Sequence, residues 1–448
     1  MPGPNRRAGG MEQIMKGKSF SVMLKAVLLS VFLAGCSTLQ MLVPRHRDAG
    51  GWVDWDGRGG WTGTESDTAF FTEELESSAS VAGAPEEAPA PALADSAGRE
   101  TGEQLGRLRA GSVDDNKSWD DYLQYRIQAQ QWGLDVHDID VAGRHVIVVI
   151  DQEGSPVLGA TALVEDDQGR EIATLNTPAD GRILFFPGAY GASPEDSFNL
   201  QISKGDSTVS LMIDQSLHEH TLTLNTRRVE EAVRLDVLFL IDATGSMSDE
   251  IQQLKENMIR VSERIDAFAS RPDVRFGMTV YRDREDLFTS RTYDFTPDVE
   301  AFTQALQEVV AEGGGDYPES LNEGLHDALQ LPEWRVNETV SLIFLIADAP
   351  PHLDYQQDHD YAEEALKALE RGIKIFPIGS SGLDDQGEYI YRQLAQISGG
   401  KFLFLTYGAG GAPGDETSHH VDDYSVLSLD DLVVRIVQEE LGQLQPKQ

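Results

Sequence analysis

Short runs of apolar residues alternate with segments of helical periodicity over the second half of the chain, from about residue 233 to residue 441. The runs are continuous and lack a period of 3.6 residues, which is the pattern of parallel strands buried on both faces of a sheet. The segments between them space their apolar residues as amphipathic helices do. This alternation predicts an α/β fold with a doubly wound, mostly parallel, Rossmann-like sheet that is covered by helices on both faces.

The same pattern places the elements within residues 227–448, which we predict to be one domain. The predicted strands are Val237–Ile241, Arg275–Tyr281, Ser341–Ala347, Ile373–Ile378 and Phe402–Leu405. The predicted helices are Asp249–Phe268, Val299–Val310, Leu321–Leu329, Tyr361–Arg371, Gly387–Ile397 and a final amphipathic helix at Leu429–Leu441.

The first predicted strand ends in three polar residues, Asp242, Thr244 and Ser246, directly before a helix. In an open α/β sheet, ligands bind at the carboxyl ends of the strands, so these oxygens would lie at the usual binding crevice. Carboxylates and hydroxyls suit hard cations such as Mg²⁺, Ca²⁺ or Mn²⁺ better than zinc or copper. The alternative is that these residues only cap the following helix, which the same residue types do well.

Two further loops carry carboxylates next to predicted elements. Asp348 follows the strand Ser341–Ala347 and precedes Ala-Pro-Pro-His352. The segment 313–319, Gly-Gly-Gly-Asp-Tyr-Pro-Glu, lies between two predicted helices and contains Asp316 and Glu319. Glycine- and proline-rich segments of this kind also form ordinary turns, so turn formation alone is the alternative for Asp316 and Asp348.

Together the three loops resemble the metal-ion-dependent adhesion site (MIDAS) of von Willebrand factor A (VWA) domains, whose first motif is Asp-x-Ser-x-Ser. Thr244 stands where the family more often has serine, and the third motif matches at Asp348. The second loop of the family usually supplies a threonine ligand, and the residue aligned with it here is Asp316. The resemblance therefore implies a set of metal ligands, direct or through water: Asp242, Thr244, Ser246, Asp316 and Asp348.

The resemblance also implies a function. In A domains the ion keeps an open position that accepts a carboxylate from a partner protein, and nothing is turned over. We therefore predict a module for protein–protein interaction or adhesion, not an enzyme, with Mg²⁺ as the first candidate ion and Ca²⁺ or Mn²⁺ as alternatives. The carboxylate of Asp316 should tighten cation binding and reduce the ion's demand for an acidic ligand from the partner.

A closer resemblance is to the A domains attached to alpha-kinases and their bacterial relatives. It rests on residues 281–283 (Tyr-Arg-Asp), on the loop 313–319, and on Asp348-Ala-Pro with His352. No kinase catalytic segment is recognisable, so only the A domain carries over. The residues that could line the rim of the site are Arg282, Asp283, Glu319 and His352.

Ordinary surface roles are the preferred interpretation for several of these residues. Arg282 and Asp283 are adjacent charges of opposite sign, which usually form a surface ion pair. His352 and His359, with the aspartates around them, could suggest zinc, but their spacing fits no standard zinc pattern and favours a solvated loop.

A second class of function is a haloacid dehalogenase-like, Mg²⁺-dependent phosphoryl-transfer enzyme with Asp242 as nucleophile. Enzymes of that family also have an aspartate at a strand end, followed by x-Thr-Gly-Thr, and Asp242-Ala-Thr-Gly-Ser is close to it. They further need a lysine in a later loop and a paired acid near the metal. Lys255 is the only lysine between Asp242 and Asp348, and it lies in the helix after the motif. This second class is therefore the weaker alternative.

Residues 141–226 have a different pattern, with short strand-like segments separated by Gly, Pro, Asn and Asp turns. They predict a small β-sandwich that resembles the carboxypeptidase regulatory-like domains, on the basis of Gly154–Ala160, Thr177 and residues 180–182. Residues 116–140 precede it, and their aromatic and apolar residues at helical spacing predict a docking helix with Ser118 as its N-cap.

The N-terminal 35 residues have the composition of a secretory signal. Five basic residues precede the apolar stretch Ala26–Gly35, which is shorter than the about 20 residues that span a bilayer. The stretch ends in Leu-Ala-Gly-Cys36, which resembles a bacterial lipobox and implies lipid attachment at Cys36. In such lipoproteins a serine directly after the lipidated cysteine, here Ser37, implies sorting to the outer membrane. Whether the protein then lies on the periplasmic or on the surface face of that membrane is left open. Residues 36–115 are then a disordered tether, rich in Ala, Pro, Glu and Ser from Ser77 to Ala94.

The strongly acidic composition limits the partners. The formal charge is −39, and removal of residues 1–35 takes away five cations and one anion and leaves −43. Nucleic acid requires a basic footprint, and anionic lipid attracts basic segments, so neither is expected as a partner of the folded part. No catalytic triad, P-loop or internal repeat is recognisable, so we predict a protein partner, membrane attachment through the lipid, and no small-molecule substrate.

Overall fold

The computed structural model describes residues 45–46, 109–227, 232–336, 338–406, 419–421 and 427–444. The predicted signal peptide, Cys36 and most of the tether lie outside the described residues. Within the described part, no helix has both the length and the hydrophobicity needed to cross a membrane.

The described residues form a series of strands and helices in which the two classes alternate in the second half of the chain. The strands are β1 (Arg45–His46), β2 (Arg109–Val113), β3 (His145–Ile150), β4 (Thr161–Glu165), β5 (Glu171–Asn176), β6 (Arg182–Phe185), β7 (Asn199–Lys204), β8 (Ser207–Met212), β9 (Glu219–Thr223), β10 (Arg234–Asp242), β11 (Asp273–Tyr281), β12 (Ser290–Thr296), β13 (Thr339–Ala347), β14 (Ile373–Gly379), β15 (Phe402–Thr406) and β16 (Leu427–Ser428). The helices are α1 (Trp119–Ala129), α2 (Ser248–Asp266), α3 (Val299–Gln307), α4 (Leu321–Gln330), α5 (Tyr361–Glu370), α6 (Asp385–Ser398) and α7 (Leu429–Gly442).

The large sheet has the strand order β1-β12-β11-β10-β13-β14-β15-β2-β16. Its five central strands, β11, β10, β13, β14 and β15, are parallel. The strands toward both edges are antiparallel to their neighbours. The chain leaves β10 toward β11 on one side and returns to β13 on the other side. The doubly wound α/β fold that the sequence predicted is therefore confirmed.

Alternation along β10 shows why both faces of the sheet need helices. Val237, Phe239 and Ile241 belong to the core under α2, α3 and α7, whereas Leu238 and Leu240 belong to the core under α4, α5 and α6. A strand with apolar residues on both faces cannot leave either face in water, so helices cover both.

The predicted helices and parallel strands of the α/β domain lie within two residues of their observed bounds at most ends. Four strands of the large sheet were missed: β2, β12 and the two-residue strands β1 and β16. β12 is an antiparallel strand whose side chains are mostly half-buried, so its sequence lacks a long apolar run. β2 pairs with β15 although only two of its five residues are buried. The prediction that residues 36–115 are a tether is thus wrong for Arg45–His46 and for Arg109–Val113, which tertiary pairing holds in the sheet.

Residues 145–223 form two small sheets, β6-β3-β9 and β5-β4-β7-β8, with their own buried side chains between them. Strand β5 was not predicted, because polar residues interrupt its apolar positions. The core of these sheets is continuous with the core under α4, α5 and α6. In addition, the side-chain amide of Asn176 donates to the carbonyl of Glu370 at the end of α5 (2.8 Å). The small sheets are therefore packed against the α/β domain.

Helix α1 lies where a docking helix was predicted and packs against α6. Tyr122 and Tyr125 are buried, and the ring of Tyr125 stacks 6.0 Å from that of Tyr389. Ser118 occupies the N-cap position, as predicted, although its side chain makes no capping hydrogen bond. Packing of aromatic side chains, not capping, positions this helix.

A buried lysine joins three parts of the fold. The Nζ atom of Lys374 on β14 lies 2.9 Å from Asp180 in the small β-sheets and 2.9 Å from both carboxylate oxygens of Glu440 on α7. Burial alone would lower the pKa of Lys374, but the charges of Asp180 and Glu440 raise it above its ordinary value. The ammonium therefore remains charged and holds two carboxylates of different elements together.

We expect Lys374→Met to lower the free energy of unfolding by about 3–5 kcal/mol, because it leaves the carboxylate of Glu440 buried without its cation. Lys401→Met is a matched control, since Lys401 pairs with Glu439 at 2.9 Å near the surface and its loss should cost about 0–1 kcal/mol. Urea unfolding of both variants, followed by circular dichroism, measures the difference. Equal losses in the two variants would contradict the role given to Lys374.

Candidate metal site

The candidate site lies at the carboxyl ends of β10 and β13, where the order of the strands reverses. Asp242 is the last residue of β10, and Asp348 follows the last residue of β13. The chain runs from these two neighbouring strands to opposite sides of the sheet, which opens a crevice between the loops that follow them. The predicted residues of the first and third loops therefore reach the same point of the fold.

Hydrogen bonds connect these residues in a chain. The hydroxyl of Thr244 donates to Asp242 Oδ1 (2.7 Å) and lies 3.1 Å from the hydroxyl of Ser246. The hydroxyl of Ser246 donates to Asp348 Oδ1 (3.1 Å). Four of the five predicted ligands are thus brought together, with Asp242, Thr244 and Asp348 buried and Ser246 exposed.

The helix-capping alternative fails on geometry. Thr244 is the N-cap of the short 3₁₀ segment Gly245–Met247, and Met247 is the N-cap of α2. Neither cap position makes a side-chain hydrogen bond to a helix N–H group. The hydroxyls of Thr244 and Ser246 are instead directed at carboxylates.

Backbone hydrogen bonds join the second loop to the other two. Gly245 donates to the carbonyl of Gly313 (2.9 Å), which links the first loop to the second. Glu319 donates to the carbonyl of Pro350 (3.0 Å) and accepts from the amide of His352 (3.0 Å), which links the second loop to the third. The relative position of the three loops is therefore set by the main chain as well as by the side chains.

Glu319, which the sequence suggested only for the rim, is the carboxylate of the second loop that contacts this group. It is buried, its carboxyl group is hydrogen-bonded with the Thr244 hydroxyl, and its Oε2 atom has no hydrogen-bond partner. Burial, and then the charges of Asp242 and Asp283, raise its pKa to about 9. In the sequence, only its position in the same loop, three residues after Asp316, pointed to Glu319. The resemblance to the family favoured Asp316 as the ligand.

Asp316 lies in a different group. Its side chain is 65% exposed, and its Oδ1 atom is 3.7 Å from Nε2 of His352, which is also 3.7 Å from Asp283 Oδ1. Oxygens of Asp283 and Asp316 and a nitrogen of His352 lie within 4.8 Å of one another. The structure thus separates Asp316 and His352 from the hydrogen-bonded chain that runs from Asp242 to Asp348.

The electrostatics of the site favour a cation. Asp242 is fully buried, and burial, followed by the charge of Asp348, raises its pKa to about 7. Its Oδ2 atom, like Oε2 of Glu319, is buried without a hydrogen-bond partner. Buried carboxylate oxygens are normally satisfied, and hard oxygen donors of this kind are those that Mg²⁺ and Ca²⁺ prefer. The residues present therefore fit a divalent cation.

Arg282 and Asp283 do not form the surface ion pair that was expected. Both are buried. Arg282 donates to the carbonyl of Val310 (2.7 Å), whereas Asp283 accepts from Ser320 (2.9 Å) and Tyr355 (2.8 Å). The two side chains brace different loops, which the adjacency of their charges in sequence did not reveal.

The expectation of a solvated loop around His352 and His359 is also wrong. His352 is buried and stacks on Tyr355 with ring centroids 3.9 Å apart. His359 stacks on His326 of α4 at 3.5 Å. The ring of His359 has its partner on another helix, whereas His352 stacks on its own loop and places its Nε2 atom 3.7 Å from Asp283 and from Asp316. Local sequence spacing could not predict the contacts with these other segments.

The lysine that a haloacid dehalogenase-like reaction requires is not supplied by Lys255. Its Nζ atom donates to the carbonyls of Gln307 and Val309 (both 2.9 Å). Lys255 thus fastens α2 to the segment after α3 and has its donors engaged there.

Large apolar side chains are exposed on the loops beside the site. They are Leu287, in the loop after β11, Val310, in the segment after α3, and Tyr317, in the second loop. The hydroxyl of Tyr317 also donates to the carbonyl of Gly382 (2.9 Å), which holds the phenol in place.

Residues 236–407 match a family model described as the von Willebrand factor A domain. The chain is similar to the alpha-protein kinase vwkA of Dictyostelium discoideum, with 32% identity over 193 residues that cover 42% of this chain and 29% of that protein. It is also similar to human Hemicentin-1, with 26% identity over 171 residues that cover 37% of this chain and 3% of that protein. The chain thus spans less than a third of the length of these relatives.

Among solved structures, proximal thread matrix protein 1 from the mussel byssus aligns at 16% identity over 48% of this chain and 46% of that chain. The TM-score is 0.33, so this alignment adds nothing to the fold described above.

We expect Gly314→Ala to destabilise the protein by about 1–3 kcal/mol, because Gly314 has a φ of +73°, which residues other than glycine rarely adopt. An added Cβ would also lie 2.7 Å from Glu319 Oε1 and 3.2 Å from Thr244 Cβ. Gly315→Ala is the matched control, since an added Cβ there has open space. Thermal unfolding of both variants tests this, and an equally stable Gly314→Ala protein would contradict the close packing of the second loop on the first.

Proposed function

Residues 236–407 form a von Willebrand factor A domain, and we propose that this domain binds a protein partner through a divalent cation, with Mg²⁺ as the resident ion. Domains of this family generally mediate protein–protein interactions and commonly bind a divalent metal. The observation that carries the proposal for this chain is the pair of buried, unpartnered carboxylate oxygens, Asp242 Oδ2 and Glu319 Oε2, beside two hydroxyls.

The ligands that we propose are Asp242, Ser246, Asp348 and the hydroxyl of Thr244, with Glu319 from the second loop. Each supplies an oxygen, directly or through water, as Mg²⁺ prefers. The bound ion would supply a positively charged coordination position for an oxygen of the partner. Asp316 is then not needed as a ligand, although the family alignment pointed to it.

The charge of the site constrains the partner. Asp242, Glu319 and Asp348 together carry more negative charge than one divalent ion neutralises when all three are ionised. The ion therefore attracts a carboxylate of the partner less strongly than a site with fewer acids would. We propose that apolar contacts with Leu287, Val310 and Tyr317 supply much of the affinity, and that the ion contributes position and specificity.

We also propose that the chain is a lipoprotein of the bacterial cell envelope, on the basis of its N-terminal sequence. Residues 1–35 would be removed, Cys36 would carry the lipid, and sorting would lead to the outer membrane.

The test of the metal site is calorimetric titration of Mg²⁺, Mn²⁺ and Ca²⁺ into the full-length chain and three variants. We expect Asp242→Asn and Glu319→Gln to lower the affinity for Mg²⁺ by more than about tenfold, since each removes a charged oxygen ligand. Asp316→Asn, the matched control from the same loop as Glu319, should change the affinity little.

Asp242→Asn should not unfold the protein, because burial and the charge of Asp348 already disfavour the ionised form of Asp242. A loss of binding in a variant with an unchanged melting temperature would therefore report on the site. Binding that is unchanged in Asp242→Asn, or no binding of any ion to the wild-type chain, would overturn the metal proposal. Loss in Asp316→Asn alone would assign the second loop's ligand to Asp316.

The envelope proposal predicts that Cys36→Ser removes the protein from the membrane fraction of bacterial cells. The hydroxyl of serine cannot take the thioether link to the lipid, so the variant should remain soluble or uncleaved. Metabolic labelling with a fatty acid and cell fractionation measure both effects, and Ser37→Ala serves as the control. Label that persists in Cys36→Ser, or wild-type protein without label, would contradict lipid attachment at Cys36.

A further inference from the structure

Two histidines and two glutamates form a second polar cluster, made of residues other than the proposed magnesium ligands. Glu323 and His326 lie one turn apart on α4, His359 precedes α5, and Glu364 lies on α5. We call these four residues the histidine cluster. Residues from different segments of the chain meet in it, so the fold brings together donors that no local motif connects.

The donor atoms of this cluster are close enough to share one ion. His326 Nδ1 is 2.8 Å from Glu364 Oε1, and His359 Nε2 is 3.4 Å from Glu323 Oε2. Donor atoms of His326, His359 and Glu364 all lie within 4.8 Å of one another. Ligands around a tetrahedral zinc ion at its usual bond lengths are about 3.3 Å apart, so the separations of the donor atoms fit one ion. The rings of His326 and His359 stack at 3.5 Å, and one of them must rotate out of the stack for both nitrogens to reach that ion.

A second observation points to a ligand at the same place. Glu364 is only 1% exposed, and its Oε2 atom has no hydrogen-bond partner. Its other oxygen accepts from His326 and from the ammonium of Lys367 (2.7 Å). A fully buried carboxylate oxygen without a partner is costly, and a metal ion would satisfy it.

We propose that the histidine cluster binds Zn²⁺. His326 and His359 supply imidazole nitrogens, Glu364 supplies the buried carboxylate, and Glu323 completes the set. Two histidines with a carboxylate are a usual zinc donor set, whereas Mg²⁺ and Ca²⁺ prefer oxygens alone. The cluster therefore selects a different class of metal from the site at Asp242.

Lys367 competes with a zinc ion for the carboxylate of Glu364. Its ammonium holds the same carboxylate that the zinc ion would need. Because the side chain of Lys367 is 38% exposed and flexible, it can turn toward water when a metal ion enters. Removal of this cation should therefore raise the affinity for zinc, which is opposite in sign to the loss of a ligand.

Bound zinc would join α4 to the start of α5. Helix α4 begins two residues after Glu319, and His359 lies in the segment that follows Asp348. The metal would thus fasten the segments that continue from the second and third loops. This proposal does not depend on magnesium binding.

The experiment is a competition titration of Zn²⁺ against a chromophoric chelator, with the full-length chain in excess Mg²⁺ so that hard-cation sites are filled. We expect one zinc ion of high affinity, and more than about tenfold loss of that affinity in His326→Gln and in His359→Gln. Lys367→Met should bind zinc more tightly than the wild-type chain. Co²⁺ in place of zinc should give the visible absorption of a tetrahedral site, and this absorption should disappear in His326→Gln.

Two control variants separate this site from other histidines. His218→Gln changes an exposed histidine of the small β-sheets, and His352→Gln changes the group that contains Asp283 and Asp316. Both should bind zinc as the wild-type chain does. The proposal is overturned if the wild-type chain binds no zinc, if His352→Gln loses it instead, or if Lys367→Met binds it more weakly. Unchanged far-ultraviolet circular dichroism and melting temperature of the histidine variants show that they are folded.

Discussion

The burial of acidic side chains at the carboxyl edge of the central sheet is the constraint on which the site depends. Asp242 ends the central strand β10 and is fully buried, and Asp348 and Glu319 are buried beside it. Burial and the charge of Asp348 disfavour the ionised form of Asp242. Its carboxyl group therefore tends to hold a proton unless a cation stabilises the negative charge. The three loops and the hydroxyls of Thr244 and Ser246 are arranged around these buried carboxylates.

Main-chain hydrogen bonds between the three loops limit how far each loop can move independently of the others. Gly245 and Gly313 are hydrogen-bonded, and Glu319 is bonded to both Pro350 and His352. A shift of one loop would therefore disturb the others, which is how a partner bound at the site could affect the segments behind it. The histidine cluster lies on those segments, so two metals of different chemistry would act on one set of loops.

The small β-sheets and helix α1 are packed against the α/β domain. The shared core, the bond from Asn176 to the end of α5, and the buried Lys374 with its two carboxylates join them. This packing gives the binding domain a rigid base. The tether that composition predicted for residues 36–115 is interrupted by β1 and ends before β2, because both strands join the sheet.

The sequence by itself determined the α/β class, the helices and parallel strands of the second half, and the loops that carry Asp242, Thr244, Ser246 and Asp348. These features were readable because each rests on a local signal, either a period of apolar residues or a polar residue directly after a strand. Strands β2, β5 and β12 were missed because pairing with a neighbour, not their own hydrophobicity, holds them. The choice of Glu319 over Asp316, the burial of Asp283 and His352, and the meeting of His326 with His359 were decided only by tertiary structure. Each of these depends on which loops lie side by side, and a linear pattern carries no information about that.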